Sequence, residues 1–288
     1  MPRENAVKQI TDDPLSTSRT VVLLLVDGWG IASDSEGSAI RLDNSKNFLK
    51  LSSEYPAGTL VSEDLSESMK YRKIGAQGKF SAKLSEQKIK QFYLTESEKS
   101  SAVLGFFVGE ENINQVESRI ISSPVCDSYS LEPEMSLEEL SRVAVKVVRD
   151  NTFGFVLISL PNIDLVASSG DLIATKKAVA KVDSFLGKIT EEVLLKNGVL
   201  VISSLGGKAE RMLDIRTELV DKEGTFNPVP LLIIGNDFKG RSLFNSDAPG
   251  GDLSLLAPVA NFDDLPKTIL ALMNVDDHEI SGKNLLKK

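Results

Sequence analysis

Uninterrupted runs of aliphatic and β-branched side chains recur along the chain and predict strands. Residues 20–26 form the first run, which ends at Asp27-Gly28. Three later runs have a similar composition: residues 153–160, 199–203 and 229–235. Because such a run offers no polar face to water, each strand is expected to lie inside a sheet that is covered on both sides.

Between these runs, apolar residues recur at three- and four-residue spacing, which predicts helices. The segment Ser136-Leu137-Glu138-Glu139 has the pattern of a capping box before an amphipathic stretch. Residues 172–195 keep helical spacing until Asn197-Gly198, where a turn is expected. Residues 262–273 predict a last helix, whereas the polar residues 62–77 have little pattern and predict a loop.

This alternation of buried strands and helices predicts an α/β fold, with a mostly parallel central sheet and helices on both faces. In such sheets, ligands bind at the carboxyl ends of the strands. Four polar features are expected at those ends: Asp27, Asn162 with Asp164, Ser203-Ser204, and the loop around Asn227. Residues 1–19 are polar and aperiodic and predict a flexible arm, so residues 20–288 are expected to form one domain.

Composition narrows the classes of partner and compartment. The net charge of −8 is spread without a Lys/Arg-rich block, which argues against nucleic acid or an anionic membrane as a partner. The apolar run near the N-terminus is too short to span a bilayer, so no membrane insertion is expected. Cys126 is the only cysteine, and no intramolecular disulfide can form. A cytoplasmic or other reducing compartment is expected.

The chain contains one histidine, His278, in a polar stretch near the C-terminus. Metal centres built on several histidines are therefore excluded. A Ser-His-Asp triad would have to recruit this remote residue. We expect His278 to be a solvated loop residue.

Several ordered motifs together resemble one family. The segment Val22 to Ile31 contains Asp-Gly-Trp-Gly, and later motifs follow in the family's order: Glu36 to Ile40, Thr95 to Lys99, Leu131 to Ser136, Asn227 to Pro230, and Ser281 to Lys283. This set resembles cofactor-independent phosphoglycerate mutase, a member of the alkaline phosphatase superfamily. The resemblance covers nearly the whole folded chain, and it implies an alkaline-phosphatase-like fold.

The resemblance also exposes a missing part. Members of that family insert a large phosphotransferase domain after the nucleophile segment. Here the chain passes from about residue 78 to about residue 88 with only some ten residues between the flanking motifs. The phosphotransferase domain is therefore expected to be absent, together with the arginine-rich surface that grips phosphoglycerate in the family.

The family's two-metal site is also incomplete in this sequence. By resemblance, Asp27 and Asp164 match metal-binding carboxylates and survive as remnant ligands. Four other ligand positions no longer carry metal-binding side chains: Ser168, Leu205, Gly206 and Gly224. Hard divalent cations need several converging oxygen and imidazole ligands. We therefore expect the remnant ligands to hold no metal, or at most a weakly held Mn²⁺ or Mg²⁺.

Three further residues are candidates for site roles. Ser66 is a weak relic of the family nucleophile, although strict register from Ile74 places Glu67 at that position. Lys99 matches the family lysine near the phosphate, with a solvated surface lysine as the alternative. Lys208 appears where ligands were lost, and its ammonium group could replace the cation and neutralise Asp27 or Asp164.

These observations favour a pseudoenzyme, a scaffold or binding module without phosphoglycerate mutase turnover and with an unknown protein partner. One alternative is residual metal-dependent phosphomutase or phosphatase activity at a reduced oxygen-ligand site. A second alternative is a sensor of anions or phosphorylated small molecules that uses Lys99 and Lys208.

Overall fold

The first apolar run forms a central strand of a seven-stranded sheet. In the computed structural model of the chain we describe residues 19–108, 116–214, 216–217, 219–243, 248–275 and 278–286. The strands are β1 (Val21–Val26), β2 (Ala57–Leu60), β3 (Gln91–Glu96), β4 (Val116–Ile121), β5 (Phe155–Leu160), β6 (Val199–Ser203), β7 (Leu213–Asp214), β8 (Leu219–Val220) and β9 (Val229–Ile234). The α-helices are α1 (Lys46–Glu54), α2 (Glu67–Ile74), α3 (Lys79–Glu86), α4 (Ser97–Ala102), α5 (Leu137–Asp150), α6 (Asn162–Ala167), α7 (Leu172–Leu195) and α8 (Asp264–Leu272).

The main sheet has the order β2-β9-β6-β1-β5-β3-β4 and is mostly parallel. Only β9 runs antiparallel to its neighbours β6 and β2. Every residue of β1 and of β5 is buried, so both faces of the sheet centre are covered. The predicted α/β class with a mostly parallel central sheet is confirmed.

The longest helix, α7, spans the predicted residues and buries one face against its neighbours. Val179, Val182, Leu186, Ile189 and Val193 all lie on this face and are buried. Asp171 caps the start of α7, because its carboxylate accepts a hydrogen bond from the backbone N–H of Ala174 at 2.9 Å. Helical periodicity in the sequence predicted this element correctly, and the structure adds its N-cap.

Two local predictions were wrong. Part of the predicted loop at residues 62–77 forms α2, which begins after Ser66 and buries Tyr71 and Ile74. At α5, the helix starts where the capping box indicated, but the Ser136 side chain makes no capping bond. Instead, its hydroxyl donates to the carbonyl oxygen of Ser122 at 2.6 Å.

The predicted N-terminal arm lies almost wholly outside the described residues. Its last residue, Arg19, is described and is not part of a free arm. The Arg19 guanidinium is buried and binds the carboxylate of Asp237 at 2.8 Å. Among the described residues, no helix combines the length and the apolar character that a membrane span requires.

Glu96, the last residue of β3, is fully buried, and the pKa of its carboxyl group is raised. Its Oε1 accepts a hydrogen bond from the backbone N–H of Ser136 at 3.2 Å, whereas its Oε2 has no partner in the described part of the chain. Burial raises the pKa of Glu96 from 4.5 to about 7. A raised pKa means that the folded state resists ionisation, so stability falls as the pH rises above the unfolded value.

We expect Glu96→Gln to stabilise the fold relative to the original chain as the pH rises, because glutamine keeps the acceptor oxygen for Ser136 without the charge. The free energy of unfolding of the variant, relative to the original chain, should rise by about 2 kcal/mol between about pH 5 and pH 8. Denaturant unfolding at both pH values measures this change. Exposed Glu191→Gln is the matched control and should show no such dependence. Equal pH dependence in both variants would contradict the assignment.

Candidate functional site

The adjacent strands β1 and β5 bring Asp27 and Asp164 together at their carboxyl ends. Asp27 follows β1 directly, and Asp164 lies in α6, which begins after β5. The backbone N–H of Asp164 donates to the carbonyl oxygen of Asp27 at 3.1 Å. Gly28 makes this close approach possible, since its φ is +86° and an added methyl group would lie 2.6 Å from the Asp164 nitrogen.

Lys99 lies between the two aspartates. Its Nζ is 3.0 Å from Asp27 Oδ2 and 3.2 Å from Asp164 Oδ2. A third carboxylate oxygen, Glu67 Oε2, is 2.5 Å from the same Nζ. The Lys99 side chain is only 6% exposed, so this ammonium group is removed from solvent and surrounded by carboxylates. The surface-lysine alternative for Lys99 is therefore wrong.

The structure brings Glu67, not Ser66, into this cluster. Ser66 is exposed and serves as the N-cap of α2, where its hydroxyl accepts from the backbone N–H of Met69 at 3.4 Å. The same hydroxyl is 3.1 Å from the Ser68 hydroxyl. Glu67 is the next residue, and it binds Lys99. The strict register in the sequence pointed to Glu67, whereas Ser66 was named as the nucleophile relic.

Lys208 approaches the cluster from the loop after β6. Its Nζ is 2.7 Å from Asp164 Oδ1 and donates to the Ser168 hydroxyl at 2.7 Å. The backbone N–H groups of Lys208 and Ala209 donate to the carbonyl oxygen of Gly28, which fixes this loop beside the Asp27 turn. Of the two aspartates that Lys208 was predicted to neutralise, it contacts Asp164.

Burial and the neighbouring charges shift the pKa values of the cluster's groups in different directions. Burial and the neighbouring Asp164 raise the pKa of Asp27 to about 6, although Lys99 opposes this shift. Burial also acts to raise the pKa of Asp164, but Lys99 and Lys208 together hold it below its usual value. For Lys99, burial disfavours the charge, yet the three carboxylates outweigh burial and raise its pKa. Lys99 therefore remains protonated across the physiological pH range.

The four positions that lack the family's metal-binding side chains contribute no metal-binding group to the cluster. Ser168 is exposed, and its hydroxyl donates to the carbonyl oxygen of Asp164 while it accepts from Lys208. Leu205 is buried in the core, and Gly224 is exposed. A methyl group added at Gly206 would lie 3.2 Å from the Nζ of Lys70, a half-buried lysine that the sequence did not single out.

Several other polar residues at the strand ends have structural partners, whereas the buried Ser203 hydroxyl has none in the described part of the chain. The Asn162 side chain donates to the carbonyl oxygen of Glu134 at 2.7 Å, and the Ser204 hydroxyl donates to that of Gly206 at 2.8 Å. Asn227 precedes β9, whose antiparallel direction places its start at this same edge of the sheet. Its side chain donates to Glu210 Oε1 at 2.9 Å. These residues shape the loops around the cluster without contacting Lys99.

The donor set does not fit a divalent metal. Asp27, Glu67 and Asp164 could supply oxygen ligands, but an ammonium group lies within bonding distance of all three. Within the described ranges, no group of three His, Cys, Asp or Glu side chains is arranged to hold a metal ion. His278 is exposed, as expected for a solvated loop residue. The cations that pair with the carboxylates at this site are the ammonium groups of Lys99 and Lys208.

Comparison with known proteins places the chain in a family. The sequence profile of the metalloenzyme superfamily matches residues 19–277, which is most of the chain. The chain belongs to the metalloenzyme superfamily.

Individual relatives narrow the family assignment to phosphoglycerate mutases of one type. The chain is 33% identical over 201 residues to the 2,3-bisphosphoglycerate-independent phosphoglycerate mutase of Clostridioides difficile, covering 69% of this chain and 37% of that protein. It is 34% identical over 210 residues to the enzyme of the same name from Aliivibrio fischeri, covering 71% and 38%. The resemblance to cofactor-independent phosphoglycerate mutase is confirmed. The chain spans little more than a third of the length of these relatives.

Solved structures support the fold. A phosphoglycerate mutase from Leishmania mexicana superposes with a TM-score of 0.57 at 22% identity, covering 69% of this chain and 37% of that one. A protein of the alkaline phosphatase superfamily from Vibrio parahaemolyticus superposes with a TM-score of 0.58 at 15% identity, covering 98% and 76%. The alkaline-phosphatase-like fold is therefore confirmed over nearly the whole chain.

Proposed function

We propose that this chain is a non-catalytic member of its superfamily, a scaffold or binding module that works without metal ions or phosphoglycerate mutase turnover. The observation that carries the proposal is the position of Lys99, whose ammonium group contacts the carboxylates of Asp27, Glu67 and Asp164. The fold keeps Asp27 and Asp164, and the ammonium groups of Lys99 and Lys208 offset part of the carboxylates' negative charge.

Charge balance supports this reading of the lysines. Asp27 and Asp164 lie 3.0 and 3.2 Å from Lys99, so a divalent ion would have to displace a buried ammonium group to reach both. Close approach of two cations in a poorly hydrated site is strongly unfavourable. The Nζ of Lys208 lies 2.7 Å from the other carboxylate oxygen of Asp164, Oδ1. The two lysines thus make a loosely bound Mn²⁺ or Mg²⁺ unnecessary for stability.

The nucleophile position gives a second argument against turnover. Glu67 occupies the serine's place in strict register, and its carboxylate is bound to Lys99. The Ser66 hydroxyl caps the start of α2, and its hydrogen-bond partners are the Ser68 hydroxyl and the Met69 backbone N–H, neither of which is a general base. A serine hydroxyl without such activation is a weak nucleophile. We therefore assign Ser66 a capping role.

The short connection between α2 and β3 fits the loss of the phosphotransferase domain. Residues 79–86 form α3, which buries Phe80 and Leu84 against the rest of the fold. We infer that this helix closes the chain where the family carries its second domain, so the phosphoglycerate-gripping surface is absent. What remains is a domain suited to a protein partner in a reducing compartment such as the cytoplasm.

We expect the purified chain not to interconvert 2- and 3-phosphoglycerate, with or without added Mn²⁺, because four ligand positions lack metal-binding side chains and Glu67 stands in the nucleophile's place. A coupled mutase assay measures this, with an active 2,3-bisphosphoglycerate-independent mutase as the positive control. Asp27→Ala serves as the matched variant and should give the same background rate. Metal-dependent turnover that Asp27→Ala abolishes would overturn the proposal.

One observation favours a second candidate, a sensor of anions or phosphorylated small molecules. Lys70 reaches the position beside Gly206, and none of the carboxylates in the described ranges forms an ion pair with it. A lysine without a carboxylate partner can bind an incoming oxyanion. This candidate requires that 3-phosphoglycerate raise the Tm of the protein and that Lys70→Ala remove the shift.

A further inference from the structure

The two edges of the main sheet differ in how their own chain covers them. At the β2 edge, the backbone N–H of Val61 donates to the carbonyl oxygen of Ala260 at 2.9 Å, and that of Val259 donates to Thr59 at 3.0 Å. At the opposite edge, β4 pairs only with β3 among the described strands. The outer backbone groups of β4 are thus a template for another strand.

Side chains of β4 are exposed on both faces. Glu117, Ser118, Arg119 and Ile120 are all exposed, and Ile120 shows 44% of its surface. Six of the seven strands in this sheet are buried along their whole length: β1, β2, β3, β5, β6 and β9. Four consecutive exposed residues therefore distinguish β4 as a surface without a partner in the part of the chain that the structure describes.

The sequence of β4 is complementary to itself in the antiparallel direction. When two copies pair with Ser118 opposite Ser118, Glu117 of each copy faces Arg119 of the other. In the same register, Val116 faces Ile120 twice. Directly opposed residues on an antiparallel pair contact one another, and pairs of opposite charge or of β-branched residues are favourable.

We propose that β4 is a homodimer interface, in which a second copy of this chain adds its β4 antiparallel across a two-fold axis at Ser118. The pairing joins two seven-stranded sheets into one continuous sheet. It places two Glu117–Arg119 pairs on one face and two Val116–Ile120 pairs on the other. The interface is isologous, as a two-fold axis requires.

Charged residues on an edge strand also serve to prevent pairing. Like charges would serve that purpose best, because they repel in every self-pairing. Glu117 and Arg119 instead carry opposite charges two residues apart, the arrangement that attracts in an antiparallel pair. Arg119 has one described ion-pair partner, Glu139 at a long 3.9 Å, and both side chains are largely exposed. Arg119 is therefore available to a second copy.

Sedimentation velocity of the full chain over a range of micromolar concentrations tests this interface. We expect a reversible monomer–dimer equilibrium in the micromolar range, as is typical of small interfaces. Glu117→Arg and Arg119→Glu each place like charges at both cross-strand pairs. Each should raise the dissociation constant by roughly tenfold or more.

The charges can then be restored in two independent ways. The double variant E117R/R119E recovers both opposite-charge pairs, so it should dimerise like the original chain. An equimolar mixture of the two single variants should form a heterodimer. Exposed Glu191→Arg is the control and should leave the equilibrium unchanged. A monomer at every concentration, or a dimer insensitive to the two single substitutions, would overturn the proposal.

Discussion

Replacing Lys99 with methionine is expected to lower the free energy of unfolding by about 3–5 kcal/mol, the range typical of breaking a buried ion pair. Methionine fills a similar volume but leaves Asp27, Glu67 and Asp164 without their shared cation. For a chain of this size, the loss corresponds to a fall in Tm of roughly 10 °C. Denaturant unfolding followed by circular dichroism measures it.

The matched control is Lys146→Met on α5. Lys146 Nζ lies 2.5 Å from Asp150, the same distance that separates Lys99 from Glu67, but the Lys146 side chain is 74% exposed. Exposed ion pairs contribute at most about 1 kcal/mol, so the control should change stability little. Equal effects of the two substitutions would show that Lys99 does not neutralise a buried cluster.

The effect of Lys99→Met should also depend on pH. Without the ammonium group, burial and the neighbouring Asp164 raise the pKa of Asp27 further, and Asp164 loses one of the two lysines that hold its pKa below the usual value. Groups with a raised folded-state pKa lose stability as pH rises above the unfolded value. The difference between the variant and the original chain should therefore be smaller at about pH 5 than at about pH 8.

Gly28→Ala is expected to destabilise the fold strongly, by about 4 kcal/mol or more. The left-handed φ of +86° alone disfavours alanine by about 1–2 kcal/mol. In addition, the new methyl group would lie 2.6 Å from the Asp164 nitrogen and 2.8 Å from its Cα, so backbone must move. The loss of stability should appear in thermal unfolding or as failure to fold.

Gly240→Ala separates these two contributions. Gly240 also has a left-handed φ, +72°, but no heavy atom lies within 4 Å of an added methyl group. This control should cost only the conformational strain, about 1–2 kcal/mol. Similar losses at both positions would mean that the turn after β1 does not depend on close contact with the Asp164 backbone.

The sequence predicted the sheet centre well because local pattern and burial agree there. The run before Asp27 and the helix Leu172–Leu195 have unambiguous periodicities, and both formed over the predicted residues. The sequence missed α2, which buries only Tyr71 and Ile74. A short helix with two buried residues leaves almost no apolar pattern, so tertiary contacts decide its formation.

The candidate site was predicted in outline and not in its pairings. Asp27 and Asp164 follow strands that become neighbours, so their proximity could be expected from strand order. Which carboxylates Lys99 contacts depends on how the loops fold back over the sheet. Compared with the family pattern, the chain has one additional residue between Ser66 and Ile74, so Glu67 rather than Ser66 stands at the nucleophile position and contacts Lys99. Lys70 belongs to α2, the helix that the sequence pattern missed. Sequence spacing alone does not determine such contacts.

The central claim is that lysine ammonium groups occupy the place of metal ions in this fold. A crystal structure determined in the presence of excess MnCl₂, with anomalous difference maps collected at a wavelength sensitive to manganese, tests it most directly. We expect continuous density for Lys99 between Asp27 and Asp164, with no anomalous peak there. A full-occupancy manganese peak bound by these carboxylates, with Lys99 displaced, would contradict the claim.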